Sequence, residues 1–405
     1  MSSIDTTTPP EDVEAGTNRP GMLERPLSRV LRPDVEGHRL KGRPDLYTAY
    51  KQDMALLNTP AKRNSIIAVG VFALVLAFFL PNDLVVLFAG AYVLCIGAIG
   101  LNLVTGYAGQ VSLGHAFFVG IGAYVAALVS GDPEGRLLGY GITFMPLWLL
   151  IAGLAAALAG ALVAPLALRL KGLYLAIVTL GLVFLGEHIF KEARPITGGP
   201  GVGREAAVPS FGFGRIDVDG DVFGLIFLSK AQRLYIIALV LLVIMAVIAR
   251  NIARSDVGRA FSAVRDRDIA AEVIGVDLTK VKILAFVLSS FYAGVAGALL
   301  FTITGFIDPS SFNLLLSIRF IAIVLIGGVA TISGSIMGAM FVALLPRISL
   351  EIAKRMPEVI SINEQLLEGL LYGVLIVVFL ILEPRGLFGL WVRIRNYWKA
   401  WPFSY

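Results

Sequence analysis

The sequence predicts an all-α, polytopic membrane protein with about ten transmembrane helices, some of them broken or re-entrant. Three observations carry that expectation. Of 405 residues, 57% are hydrophobic and only 16% are charged, with a mean hydropathy of +0.80. Soluble domains run at roughly 45–50% and about 25%. Apolar stretches of spanning length recur along the chain, since about 20 residues rising about 1.5 Å each cross a hydrocarbon core of about 30 Å. The breaks between them carry Pro, Gly and Asp turn chemistry, as in Pro81-Asn82-Asp83, Gly131-Asp132-Pro133, Asp308-Pro309, Gly327-Gly328 and Pro346.

The expected spans lie at 64–80, 84–104, 108–129, 143–168, 173–190, 233–249, 282–304, 314–328, 332–346 and 366–382. Residues 101–116 and 326–338 are rich in glycine, and there a broken helix is expected; such backbone survives at membrane depth only where protein or a watery path satisfies it. Residues 1–62 hold seven of the 19 prolines and no 7–15-residue apolar run of a secretory signal. They read as a largely disordered cytoplasmic tail. Within it, Leu46, Tyr50, Met54 and Leu57 recur at helical spacing, which suits either an interfacial helix over 45–58 or a frayed linker. The transmembrane domain is expected over 63–384, with a cytoplasmic loop at 250–281 and an outer loop at 191–232. A cytoplasmic C-terminal tail follows at 385–405. With the N-terminal tail inside, 23 Lys and Arg fall on inner segments and ten on outer ones, so both termini are placed in the cytoplasm.

Charge excludes several classes. A net charge of +5 in so apolar a chain orients it in a membrane rather than binding nucleic acid. A single cysteine, Cys95, allows no intrachain disulfide and no thiolate metal cluster. Charged groups within the spans cost about 2.5–3.5 kcal/mol each and are few: Arg319, with Glu187, His188 and Glu368 near span ends. Arg319 suits snorkelling or interhelical pairing. A proton-coupled transporter needs mid-membrane carboxylates, and a membrane hydrolase needs converging acid, base or metal ligands. Neither pattern is present. No Gly-x-x-x-x-Gly-Lys-Ser/Thr phosphate loop occurs, so any ATP is bound by another chain.

Four stretches stand out. Asn102 through Phe118 (NLVTGYAGQVSLGHAFF) sets Gln110, Ser112 and His115 among glycines. Polar side chains beside flexible backbone suit a solute path near the midplane, and helix packing through small residues is the plainer alternative. The 250–281 loop has a helical pattern, with Ser255 or Asp256 as N-cap, Gly275 as left-handed terminator, and Phe261, Val264 and Ile269 as an apolar side. It reads either as a solvated loop or as a helix that docks into a partner's groove. The other two are Ala285–Ala298, with small residues on one side, and Gly327–Ala339, which joins two spans.

Together these stretches resemble the permeases of branched-chain amino acid ABC importers, in particular their LivM-type subunit, over about residues 64–390. Thr197–Gly203 (TGGPGVG) and Glu383-Pro384-Arg385-Gly386-Leu387 match the family as well. Related urea and short-chain amide permeases share much of the pattern. The resemblance implies a non-enzymatic subunit without cofactor or metal in a bacterial inner (plasma) membrane. It implies as partners a homologous second permease, two cytoplasmic ATP-binding subunits, a periplasmic or extracellular solute-binding protein and the lipid bilayer. It assigns ATPase coupling to Arg259, Arg265, Asp268, Ala271, Glu272 and Gly275, and is compatible with Asn102, Gln110, Ser112 and His115 along the path. An ion-coupled secondary transporter, a membrane enzyme and a passive channel are the rival classes.

Overall fold

In a computed structural model, residues 60–400 are described, apart from 171, 207–208, 211–219, 223–225, 356–363 and 384. Residues 1–59 of the tail, including its 45–58 segment, lie outside the described residues, and residues 60–62 open a helix. The chain divides into two units, 1–69 and 70–405; the described part of the first is the opening of one helix.

The helices are α1 (Pro60–Phe79), α2 (Asn82–Asn102), α3 (His115–Ser130), α4 (Met145–Arg169), α5 (Leu173–Glu192), α6 (Lys230–Arg254), α7 (Asp256–Asp266) and α8 (Asp268–Val273). They continue with α9 (Leu278–Thr304), α10 (Leu314–Gly327), α11 (Ile332–Ala343), α12 (Leu345–Arg355), α13 (Glu364–Leu382) and α14 (Gly386–Ala400). Among the described residues, four short strands, β1 (Arg204–Glu205), β2 (Gly220–Val222), β3 (Ile226–Leu228) and β4 (Phe306–Ile307), form two antiparallel pairs, β1 with β4 and β2 with β3. Among the described residues, six helical segments are long and apolar enough to cross a membrane, and four shorter apolar helices accompany them. Each expected span therefore has an apolar helix.

Burial separates centre from periphery. Ala91–Asn102 of α2 and Tyr292–Leu299 of α9 are buried on every side, as befits helices in the middle of a bundle. Helix α9 packs on α2, α3 and α4. Its small residues permit this: a Cβ on Gly297 would overlap the Val119 carbonyl of α3. By contrast, α4 exposes Leu147, Leu150, Leu154, Leu158, Leu162 and Leu166 along one face, a leucine stripe suited to hydrocarbon. Helix α6 starts three residues earlier than the hydrophobic pattern suggests, because Ser229 and Gln232 cap it reciprocally. Polar ties cross the bundle. The Tyr235 hydroxyl donates to the Ala73 carbonyl at 2.7 Å, so the Tyr92 hydroxyl, 2.7 Å away, donates to Tyr235. Cys95 is fully buried on α2.

Both glycine-rich stretches are broken, as expected. After α2 the chain makes one π-helical turn, Leu103–Tyr107, then runs irregularly to His115. The third span thus starts at His115 rather than 108. Between α10 and α11, Gly328 and Ala330 take positive φ. The break expected near Pro346 falls at Leu344, between α11 and α12, and Pro346 itself sits in the first turn of α12, where its missing N–H costs nothing. Arg319 lies 6.0 Å from the ring centre of Tyr372 on α13, an interhelical cation–π contact.

Candidate functional site

The 25 residues of α6 hold the two ends of the bundle about 37 Å apart. At one end the 255–277 loop meets the first helix break through Arg265 and Gly106, and Asn102 beside that break meets the second. Asn102 is fully buried and uses its whole amide there. Its Nδ2 donates to the Thr331 carbonyl (3.0 Å) and to Ser335 Oγ (2.7 Å), while its Oδ1 accepts from the Ala330 N–H (2.8 Å). Ala330 has φ +58°, a left-handed conformation that costs an alanine about 1 kcal/mol or more. Gly106 has no room for a side chain, because a Cβ would overlap Asn102 Oδ1 and approach the Ala330 backbone.

Gln110, Ser112 and His115 are also buried. The Ser112 hydroxyl accepts from the Gly114 N–H at 3.4 Å. Both amide atoms of Gln110, His115 Nε2, Thr105 Oγ1 and the Tyr124 hydroxyl are buried without a protein hydrogen-bond partner. These orphaned groups are strung from the π-turn along α3. Beside them lie aromatic rings: Phe320 edge-on to His115 (4.8 Å), and Phe190 and Phe312 against Tyr124 (5.1 and 5.5 Å). The result is an apolar seam punctuated by unsatisfied polar atoms, each normally costly to bury.

The loop is two helices rather than one. Extended backbone at Arg267 separates α7 from α8. Phe261 and Val264 of the expected apolar side are buried within the chain, but Ile269 is exposed on α8. Ser255 is the N-cap residue of α7 by position, yet its hydroxyl donates backward to the Ile252 carbonyl. Arg259 pairs with Asp256 on the surface. Arg265 donates to the Gly106 carbonyl at 3.1 Å. Asp268 pairs with the buried Lys282 of α9 at 2.9 Å, and Ala271 is buried. Glu272 and Gly275 are exposed, and Gly275 closes α8 at φ +90°. Ile269, Val273 and Ile274 are 77%, 82% and 74% exposed. The loop is finished by Asp277, which caps α9 through the Lys280 N–H; that bond holds its carboxyl below the usual carboxylate range. Changing Asp268 to Asn strands the Lys282 ammonium. With Asp268 partly solvated, the expected cost is about 2–3 kcal/mol, readable as at least tenfold faster limited proteolysis of 255–277.

The opposite end is tied by two side chains. Arg204 donates to the Ile196 and Leu138 carbonyls, both at 2.6 Å, and burial lowers its pKa. Asp308 accepts from the Gly201 N–H (2.9 Å), the Ser310 N–H (2.9 Å) and the Ser310 hydroxyl (2.6 Å). Partial burial alone would raise its pKa, but these bonds outweigh it and hold the carboxyl below the usual range. A depressed folded value means that the clasp is fully present above the ordinary value of about 3.9 and is lost as pH falls through the folded one. Protease access to the 194–206 segment is therefore expected to rise only below about pH 4, and Asp308→Asn should remove that step. An open depression of about 1090 Å³ lies beside these ties, rimmed by Arg136, Arg194, Asp132 and Glu205.

Residues 84–380 match the family described as branched-chain amino acid transport system / permease component. The chain belongs to that family. The permease is 33% identical over 341 residues to the high-affinity branched-chain amino acid transport system permease protein LivM of Escherichia coli (strain K12), covering 82% of this chain and 76% of that one. It is 35% identical over 300 residues to the LivM protein of Salmonella typhimurium, covering 71% and 66%. No solved structure matches. The permease is thus a LivM-like, multi-pass component of an ABC transport system. Within the matched region, sequence reasoning missed Thr105, Tyr124 and the aromatic seam. The only local signal for them was the density of Phe and Tyr around Phe117–Tyr124. Phe190 and Phe312 reach the seam from distant segments.

Proposed function

We propose that this permease passes branched-chain amino acids (leucine, isoleucine and valine) inward across the bacterial inner membrane. The work is done by two separate cytoplasmic ATPases, a homologous second permease completes the pathway, and a solute-binding protein delivers from outside. Both termini are cytoplasmic in this reading, with 63–384 as the transmembrane domain. The observation that carries it is α8. Ile269 and Val273 stand exposed on a six-residue helix, and Ile274 just after its end, while the helix's other side is pinned by Ala271 and by the Asp268–Lys282 pair. A rigidly held apolar knob beside Glu272 suits a groove on a partner protein. The seam along α3 supports the solute class. Aromatic walls accept an aliphatic side chain, and orphaned amide, imidazole and hydroxyl groups offer hydrogen bonds to a zwitterion's ends. No carboxylate falls near the middle of an expected span, which favours an outside energy source over an ion gradient.

The test is uptake in proteoliposomes containing the whole assembly. Leucine, isoleucine and valine should compete with one another for ATP-dependent uptake. Competition by urea instead would support the short-chain amide reading. Uptake driven by an ion gradient without ATP would refute both. Replacing Glu272 or Gly275 should leave insertion intact and reduce uptake per ATP hydrolysed; normal uptake in both variants would remove them from the coupling surface.

A further inference from the structure

We infer that Arg265 and Asn102 form a two-step linkage that lets the α7–α8 loop move both broken helices at once. This rests on the reading of α8 as the place where an ATPase pushes. The first step is the Arg265 guanidinium on the Gly106 carbonyl (3.1 Å). That carbonyl belongs to the π-turn between α2 and α3, and single π-turns within helices recur at functional sites. Gly109, at φ +69°, lies directly on the stem of the same arginine, close enough that a Cβ would collide with it. The loop thus grips the first break by a hydrogen bond and by contact.

The second step starts four residues back. Asn102 faces Gly106 and holds Ala330, Thr331 and Ser335 of the second break through three hydrogen bonds. One of these keeps Ala330 left-handed. If α7 shifts, the Gly106 carbonyl must follow or its bond must open. If Gly106 shifts, the space beside Asn102 changes and its hold on Ala330 loosens. Ala330 can then relax to a negative φ, which re-aims α11 against α10. Strain stored at a break and released by a remote contact is how a packed bundle switches between two arrangements. Arg265 and Asn102 are positioning residues in this scheme: neither touches solute or ATP.

The experiment uses the assembled complex in proteoliposomes with Val111→Cys as reporter. Val111 is 41% exposed, next to Gln110, whereas the native Cys95 is fully buried. Maleimide labelling of the reporter is followed with and without ATP and vanadate, and leucine uptake is measured separately. With Arg265 present, nucleotide is expected to change the labelling rate at least threefold. Arg265→Ala should abolish that change, and Arg265→Lys should restore at least half of it. Ser335→Ala weakens the Asn102 clasp without emptying the core, and it should reduce the change on its own but add nothing to Arg265→Ala, as expected for members of one chain. A nucleotide-dependent change that persists in Arg265→Ala overturns the linkage, as does its absence when Arg265 is intact. Failure of leucine uptake beside an intact labelling change overturns the transport reading and leaves the linkage standing.

Discussion

Replacing Val273 and Ile274 together by aspartate is expected to lower ATP-dependent uptake at least a hundredfold while the bundle still assembles. Both side chains are more than 70% exposed, so the chain itself loses almost no packing when they change. On the proposed docking of α8, the partner's groove would lose a great deal. Burying one large aliphatic side chain is worth about 1.5–3 kcal/mol. Removing two and desolvating two carboxylates in their place exceeds about 3 kcal/mol, and each 1.4 kcal/mol is a factor of ten in association. Conservative Val273→Ile should keep most activity. The measurement is co-purification of the ATPases with the permease, alongside uptake. If the aspartate variant holds the ATPases and transports normally, α8 is not the docking element.

The second large effect is expected at the bundle's centre. Gly297→Val should destabilise the chain by about 3 kcal/mol or more, above the usual overpacking range of 1–3. The added atoms meet the Val119 carbonyl and the Ala123 N–H of α3, and backbone inside a helix cannot turn aside as a side chain can. Helix α3 must slide, and its contact with Gly294 through Gly122 is lost with it. Gly181→Val is the control, because a Cβ there meets nothing within 4 Å. Thermal aggregation in detergent should separate the two variants clearly. Equal midpoints would mean that α3 and α9 are less closely packed than described.

The architecture was legible where it depends on local pattern. Spans follow from apolar length, and the breaks near Gly106 and Gly328 follow from glycine density. Expectations failed where the cause is nonlocal. The third span starts at His115 because the preceding residues are held by distant partners: Gly109 lies on Arg265 and the Leu113 N–H donates to Thr179 Oγ1. The apolar pattern puts Ile269 with Phe261 and Val264 on one side, but the chain turns at Arg267 without a glycine or proline to announce it. The same holds for the candidate site. Polar residues among glycines marked Asn102 and Gln110 alike, yet one has its whole amide engaged and the other has none of it engaged. That distinction lies in what residues 330–335 bring to the first and not to the second. The aromatic seam was illegible for the same reason, since Phe190, Phe312 and Phe320 come from three separate segments.

The burial of Cys95 has a practical corollary. A molecule whose sole sulfhydryl is sealed within α2 is already a clean background for chemical tagging. A cysteine engineered at Glu272 would be the one group open to a charged, bilayer-impermeant reagent. Intact right-side-out vesicles should leave it untouched and inverted ones should colour it, which reads the sidedness of the whole polypeptide from a single substitution.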